Sequence, residues 1–225
     1  MNNTTAPRLL HDLLTIGAAY PLLLAGDHAV RAHGLVDRRV QDLELATESA
    51  EPMERIAATV LAGLAERGWP VRSLETDPLS ARLLVTDPAT GEEQTVDLLK
   101  ETLWHPPVET GLGPALSLED VIGTRVRALA DRGAARDLVD VHAAAAHWSP
   151  TELEELGRRH AHDAFDLTDL QSRLEGIEWL DDRDFTVHGL DEQSVQALRQ
   201  WAQSWANDIA ERLLEEEASE PPADE

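Results

Sequence analysis

Residues 40–45 read Val-Gln-Asp-Leu-Glu-Leu, carboxylates alternating with leucines. Successive side chains of a strand point to opposite faces. The alternation therefore predicts a strand over residues 40–46, with Leu43 and Leu45 on one face and Asp42 and Glu44 on the other. Two carboxylates that close repel each other unless a proton or a cation lies between them. Hard oxygen ligands of this kind suit magnesium or manganese. Upstream, residues 21–25 form an apolar run that reads as a buried strand. Gly26 turns the chain, and a short helix over about residues 28–32 ends at His33-Gly34, glycine being the usual residue just past a helix C-terminus.

The rest of the chain supplies a framework around that segment. Periodic leucines predict a helix over residues 7–19, and Glu51-Pro52 opens another that runs to Arg67 and stops at Gly68. Strands are predicted over residues 71–74, 81–86 and 94–99, with a turn over residues 87–91 between the last two. Residues 104–114, rich in Pro and Gly, read as an irregular loop. From there the pattern turns helical, over residues 118–130, 136–147, 151–160, 167–178 and 192–217. Ser149-Pro150-Thr151-Glu152 marks a helix start. Val195, Leu198, Trp201, Trp205, Ile209 and Leu213 recur at helical spacing, which makes the tryptophans packing residues rather than a base-stacking platform. His160-Ala161-His162-Asp163 reads as a solvated surface cluster, because histidines two apart diverge on a helix. The organisation expected is an α/β core over residues 1–116, a helical region over 117–217 and a disordered acidic tail over 218–225.

Two ordered sets of residues carry a resemblance. The first is Ala25-Gly26, Ala29-Val30, His33-Gly34, Arg38 and Gln41-Asp42-Leu43-Glu44-Leu45. The second is Glu119, Asp120, Arg125, Ala128, Leu129, Arg132, Gly133, Arg136, Asp137 and Asp140. Together they resemble the nucleotidyltransferase superfamily, and within it the AbiEii/AbiGii toxin type, over roughly residues 15–147. Three positions depart from that pattern. Asp27 stands where Gly or Ser is usual, Glu44 where Asp is commoner, and Arg125 where the family carries lysine.

The resemblance implies an α+β fold, a nucleotidyltransferase-like mixed sheet flanked by helices and followed by a helical C-terminal region. It implies metal-dependent transfer of a nucleotide from a nucleoside triphosphate to an RNA (often tRNA) or protein hydroxyl, in a toxin–antitoxin or phage-defence setting with a cognate antitoxin as possible partner. Asp42 and Glu44, with Asp97 as the third acid on a neighbouring strand, would hold Mg2+ or Mn2+. Arg125 and Asp137 would join them as catalytic residues, and Gly26, Asp27, Arg132 and Arg136 would meet the nucleotide. Asp27 also sits at a helix start, where Asp is a favoured N-cap, so its carboxylate would compete with phosphate for the same N–H groups. Those departures keep a second class open, a catalytically degenerate relative that binds a partner or nucleotide without turnover. A plain interaction domain with an acidic tail is a third class.

Composition narrows the partners. The absence of cysteine excludes disulfides and zinc–thiolate sites and fits a reducing cytoplasm. No apolar run approaches the roughly 20 residues of a membrane span, and no signal peptide is legible at the start. The formal charge is −24, and Lys100 is the single lysine. Non-specific nucleic-acid binding depends on clustered basic residues, so bulk DNA is not an expected partner. Fluorescence anisotropy with a random duplex at physiological salt should give an affinity weaker than the usual non-specific range of about 10⁻⁴ to 10⁻⁶ M; micromolar binding would contradict this.

Overall fold

The computed structural model describes residues 5–38, 40 and 42–219. The chain divides into two compact units, Met1–Val121 and Ile122–Glu225.

The first unit is built on a mixed seven-stranded sheet. Its strands are β1 (Leu23–Leu24), β2 (Leu43–Thr47), β3 (Val71–Thr76), β4 (Ser80–Thr86), β5 (Glu93–Lys100), β6 (Val108–Thr110) and β7 (Gly113–Ala115), in the spatial order β3-β4-β5-β2-β1-β7-β6. β2 runs parallel to β5 and antiparallel to β1, and β1 runs parallel to β7. One face is apolar in register: Leu43, Val96 and Leu83 form one row across β2, β5 and β4, and Leu45, Leu98 and Ala81 the next, all buried. Helix α3 (Met53–Glu66) packs on β3 and β4, and α1 (Thr5–Ile16) packs on α3. The close approach of those two helices requires Gly63, whose missing Cβ would stand 2.7 Å from Ile16.

The register of β2 follows from cost. Slipping β2 by one residue would put Asp42 and Glu44 into the core and expose Leu43 and Leu45. Each exposed leucine forfeits about 1.5–3 kcal/mol, and each buried unpaired carboxylate costs several kcal/mol more.

Residues 104–114 depart from the expected irregular loop. They include a small hairpin, β6 paired antiparallel with β7, and β7 joins the main sheet through Ala115 beside Leu24. Pro and Gly lower local strand propensity, but a strand of three residues needs only its neighbour's free edge. The stretch before the hairpin is pinned by Asp120, buried at 1% exposure, whose carboxylate accepts from the backbone N–H groups of Trp104 and His105.

The second unit is helical. α4 (Leu118–Arg132) carries the division between the units, and α5 (Ala135–Ala144), α6 (Pro150–His160), α7 (Leu167–Gly176), α8 (Asp182–Thr186) and α9 (Glu192–Ser219) follow. Ser149 caps α6 in a reciprocal capping box with Glu152. The short α8 was not legible as a period, yet Asp181 and Asp184 form the same device. α9 extends to Ser219, two residues past its expected end, and the remainder of the acidic tail lies outside the described residues. His160 corrects the reading of a solvated cluster: it is 4% exposed, and its ring fills the space over Gly123. His162 instead lies 3.1 Å from the Arg127 guanidinium. Among the described residues no helix is long and apolar enough to cross a membrane.

Glu154 ties α6 to α9. Its carboxylate is 3% exposed and accepts from Trp205 Nε1 at 2.8 Å and from Arg212 at 2.6 and 3.0 Å. Trp205 is thus a packing residue with a satisfied N–H. Glu154→Ala strands that buried N–H and a partly buried guanidinium, and should cost about 2–3 kcal/mol in urea unfolding. A loss below about 0.5 kcal/mol would mean water replaces the carboxylate without penalty.

Candidate active site

The polar face of the sheet is assembled by the same alternation that buries the leucines. Asp42, just ahead of β2, is exposed, and Glu44 is half-buried on the same face. The parallel pairing of β2 with β5 sets Glu44 directly beside Asp97. Asp42 is held by Thr95, whose hydroxyl donates to Oδ1 at 2.5 Å. Three of the acids read from the sequence, Asp42, Glu44 and Asp97, therefore occupy one face of two adjacent strands.

Asp97 has a resident cation. Arg82, its cross-strand neighbour on β4, donates from Nε at 2.7 Å and from Nη2 at 3.1 Å, one bond to each carboxylate oxygen. The Arg82 guanidinium is held above its ordinary pKa, chiefly by the hydrogen bonds and charge of Asp97 and to a smaller degree by Glu75 and Asp42. Sequence reading missed Arg82. A signal existed in principle, because a lone Arg between buried Ala81 and Leu83 must face the same side as the acids.

Gly26 is demanded by this site. Its φ is +56°, in the left-handed region, and a Cβ there would come within 2.3–2.5 Å of the Glu44 carboxylate. The room above Gly26 is filled by Glu44 in this structure. α2 (Gly26–Ala32) begins here with Ala25 as its N-cap. That corrects the reading of Asp27 as the cap. Asp27 lies inside the first turn, and its carboxylate accepts from Arg38 Nη2 at 3.0 Å, the two side chains 12% and 6% exposed. A buried guanidinium offsets the charge that would otherwise repel phosphate. Arg38 belonged to the recognised motif without a role, and this ion pair supplies one.

His28, also absent from the sequence-derived set, lies against this segment. It is 7% exposed, and its Nδ1 is buried without a hydrogen-bond partner. Burial pushes its pKa below the ordinary histidine value, against the opposing pull of Asp27 and a hydrogen bond to the Asp42 backbone. That hydrogen bond ties the His28 ring to the backbone at the mouth of β2.

The remaining site residues read from the sequence lie in the second unit and bond to one another. Arg125, 3% exposed, reaches Asp137 at 3.3 Å and Asp140 at 3.2 Å. Asp137 and Asp140 are both fully buried. Arg132 grips Asp137 with two bonds, 2.7 and 2.8 Å, while Arg136 Nε lies 4.0 Å from Asp137. The turn at Gly133, with φ +63°, brings Arg132 back onto Asp137 of α5.

No group of three or more His, Asp or Glu side chains converges as a metal-ligand set among the described residues. Both oxygens of Asp97 accept from Arg82 in this structure. Magnesium, however, is usually held by one or two carboxylates together with substrate phosphates. Asp42 and Glu44, hard oxygen donors on one strand face, fit that smaller requirement.

Comparison with known proteins decides the family. The profile of the AbiEii nucleotidyl transferase toxin, of the type IV toxin–antitoxin systems, matches residues 99–225, more than half of the chain. The chain belongs to the AbiEii nucleotidyltransferase toxin family. The match includes the second set of motif residues and the helices beyond residue 150, where the sequence reading recognised nothing. The fold is similar to that of the nucleotidyltransferase toxin MenT4 from Mycobacterium tuberculosis, with TM-score 0.61, 17% identity, and coverage of 90% of this chain and 82% of that one. It is similar also to JHP933 from Helicobacter pylori, with TM-score 0.54, 19% identity and 94% of each chain covered. No curated protein matches in sequence.

Gly26→Ala tests the turn. A non-glycine residue in the left-handed region costs about 1–2 kcal/mol, and the added methyl must push the Glu44 carboxylate aside. Urea unfolding should show that loss, and a crystal structure of the variant should show Glu44 displaced. Unchanged stability would mean the turn relaxes to a negative φ.

Proposed function

We propose that this AbiEii-family chain is an active, metal-dependent nucleotidyltransferase whose acidic strand face is the catalytic centre. The observation that carries the reading is the in-register pair Glu44 and Asp97, with Asp42 two residues along the same face, next to a glycine turn. Asp42 and Glu44 would hold a divalent cation, Mg2+ or Mn2+, which when bound supplies charge neutralisation for the triphosphate and Lewis acidity. The reaction joins an acceptor oxygen to the α-phosphorus of a nucleoside triphosphate. The bond from that phosphorus to the β-phosphate bridging oxygen breaks, pyrophosphate leaves, and the acceptor proton passes to water. Within this centre Thr95 and His28 orient Asp42, while Gly26 leaves room for Glu44.

The acceptor we propose is an RNA hydroxyl, tRNA being the first candidate, or else a protein hydroxyl. The similarity to a nucleotidyltransferase toxin supports a toxin with a cognate antitoxin, acting in the cytoplasm, where nucleoside triphosphates are supplied. Roles for Arg125, Asp137, Arg132 and Arg136 at the nucleotide rest on the family resemblance alone.

The test is incorporation of label from each α-labelled nucleoside triphosphate into total RNA or protein, with magnesium present. Asp42→Asn combined with Glu44→Gln should lower incorporation at least about 100-fold, roughly 2.7 kcal/mol of barrier. The double variant should also lose any magnesium-induced rise in melting temperature. Binding of triphosphate with no incorporation from any of the four nucleotides would establish the degenerate reading instead.

A further inference from the structure

On the polar sheet face, Glu44 of β2, Asp97 of β5, Arg82 of β4 and Glu75 of β3 are successive cross-strand neighbours. Three acids and one base thus share a single row, and Asp42 adds a fourth acid beside it. Arg82 is placed within that row, not at its margin. Its planar fork is matched to a carboxylate, and it takes both oxygens of Asp97. The pair has an asymmetric exposure: the Asp97 side chain is 16% exposed and that of Arg82 is 54% exposed. The carboxylate is therefore sheltered under its own counter-ion, which covers it from the solvent side.

We propose that Arg82 occupies the place of a second divalent cation, so that this chain works as a one-metal centre. The inference rests on the nucleotidyltransferase reading of this face. Its physical basis is charge and geometry. Asp97 and Arg82 form a neutral pair, so the guanidinium already supplies the positive charge that a cation on Asp97 would bring. A cation bringing Asp97 into its ligand set must share or displace two charge-assisted hydrogen bonds and sit beside a guanidinium that cannot lose its proton. A fixed Arg has a further consequence: the site keeps a positive charge over Asp97 whether or not metal is present. Arg82 is a positioning residue here, acting through the carboxylate it covers.

The experiment counts bound Mn2+ per chain by electron paramagnetic resonance, titrating Mn2+ alone into the full-length protein. Wild type should bind one ion. Arg82→Gln, which keeps bulk and polarity without charge, should bind a second, or bind the first at least tenfold more tightly. Arg82→Lys, which restores the charge, should return the count to one, and adding Asp97→Asn to Arg82→Gln should remove the gained site. Arg82 is half exposed, so these variants should fold, and circular dichroism checks that they do. Two ions in wild type, or an unchanged count and affinity in Arg82→Gln, would overturn the one-metal inference and leave the parent reading standing. No bound ion in wild type at any reachable concentration would overturn both.

Discussion

The parallel register of β2 against β5 is the constraint on which the candidate site depends. It sets Leu43 beside Val96 and Leu45 beside Leu98 on the buried face, and it sets Glu44 beside Asp97 on the other. The two faces cannot be chosen separately, because the side-chain period of a strand is two residues. Hydrophobic burial therefore also aligns the acids: the leucines lock the register, and the carboxylates follow. Like charges held opposite each other are destabilising on their own, and on this face the charge is countered by a neighbouring strand.

Ion pairing within the chain explains how so acidic a protein places its few bases. Arg38 meets Asp27, Arg82 meets Asp97, Arg125 and Arg132 meet Asp137, and Arg212 meets Glu154. In each, a guanidinium serves an internal or partly internal carboxylate. Lys100 serves its own fold as well, its ammonium donating to the backbone carbonyls of Ser49 and Glu51. Deeply buried pairs of this kind are weak evidence for net stability, since desolvation offsets most of the attraction. Their stronger effect is geometric: each fixes where a strand or helix terminus lies relative to one neighbour. The Arg125 network does this for α4 and α5, and the Glu154 network for α6 and α9.

Much of the fold was legible because its elements carry strong periods. The strand with Glu44, the hairpin of β4 and β5, and the start of α6 at Ser149 all announce themselves in the sequence. The elements that escaped are short. The hairpin of β6 and β7 comprises three-residue strands, too brief for alternation to register, and α8 spans one turn. His160 was misread for a related reason. A histidine next to polar neighbours looks solvated, and only the absence of a side chain at Gly123 makes room for it.

What the sequence determined by itself is which residue types share a face: leucines with leucines, Asp42 with Glu44, and Asp97 alone among apolar neighbours. That follows from backbone geometry, which is local. What only the tertiary structure decided is who stands next to whom across strands and turns. Arg82 is 15 residues from Asp97 in the chain and Arg38 is 11 from Asp27, so no local period links either pair. Asp97 became a carboxylate with a guanidinium on it, and Asp27 became an ion-pair partner in place of a helix cap. The physical reason is that an acid's behaviour depends on the charge a few ångströms away, and strand register and chain reversal set that neighbour.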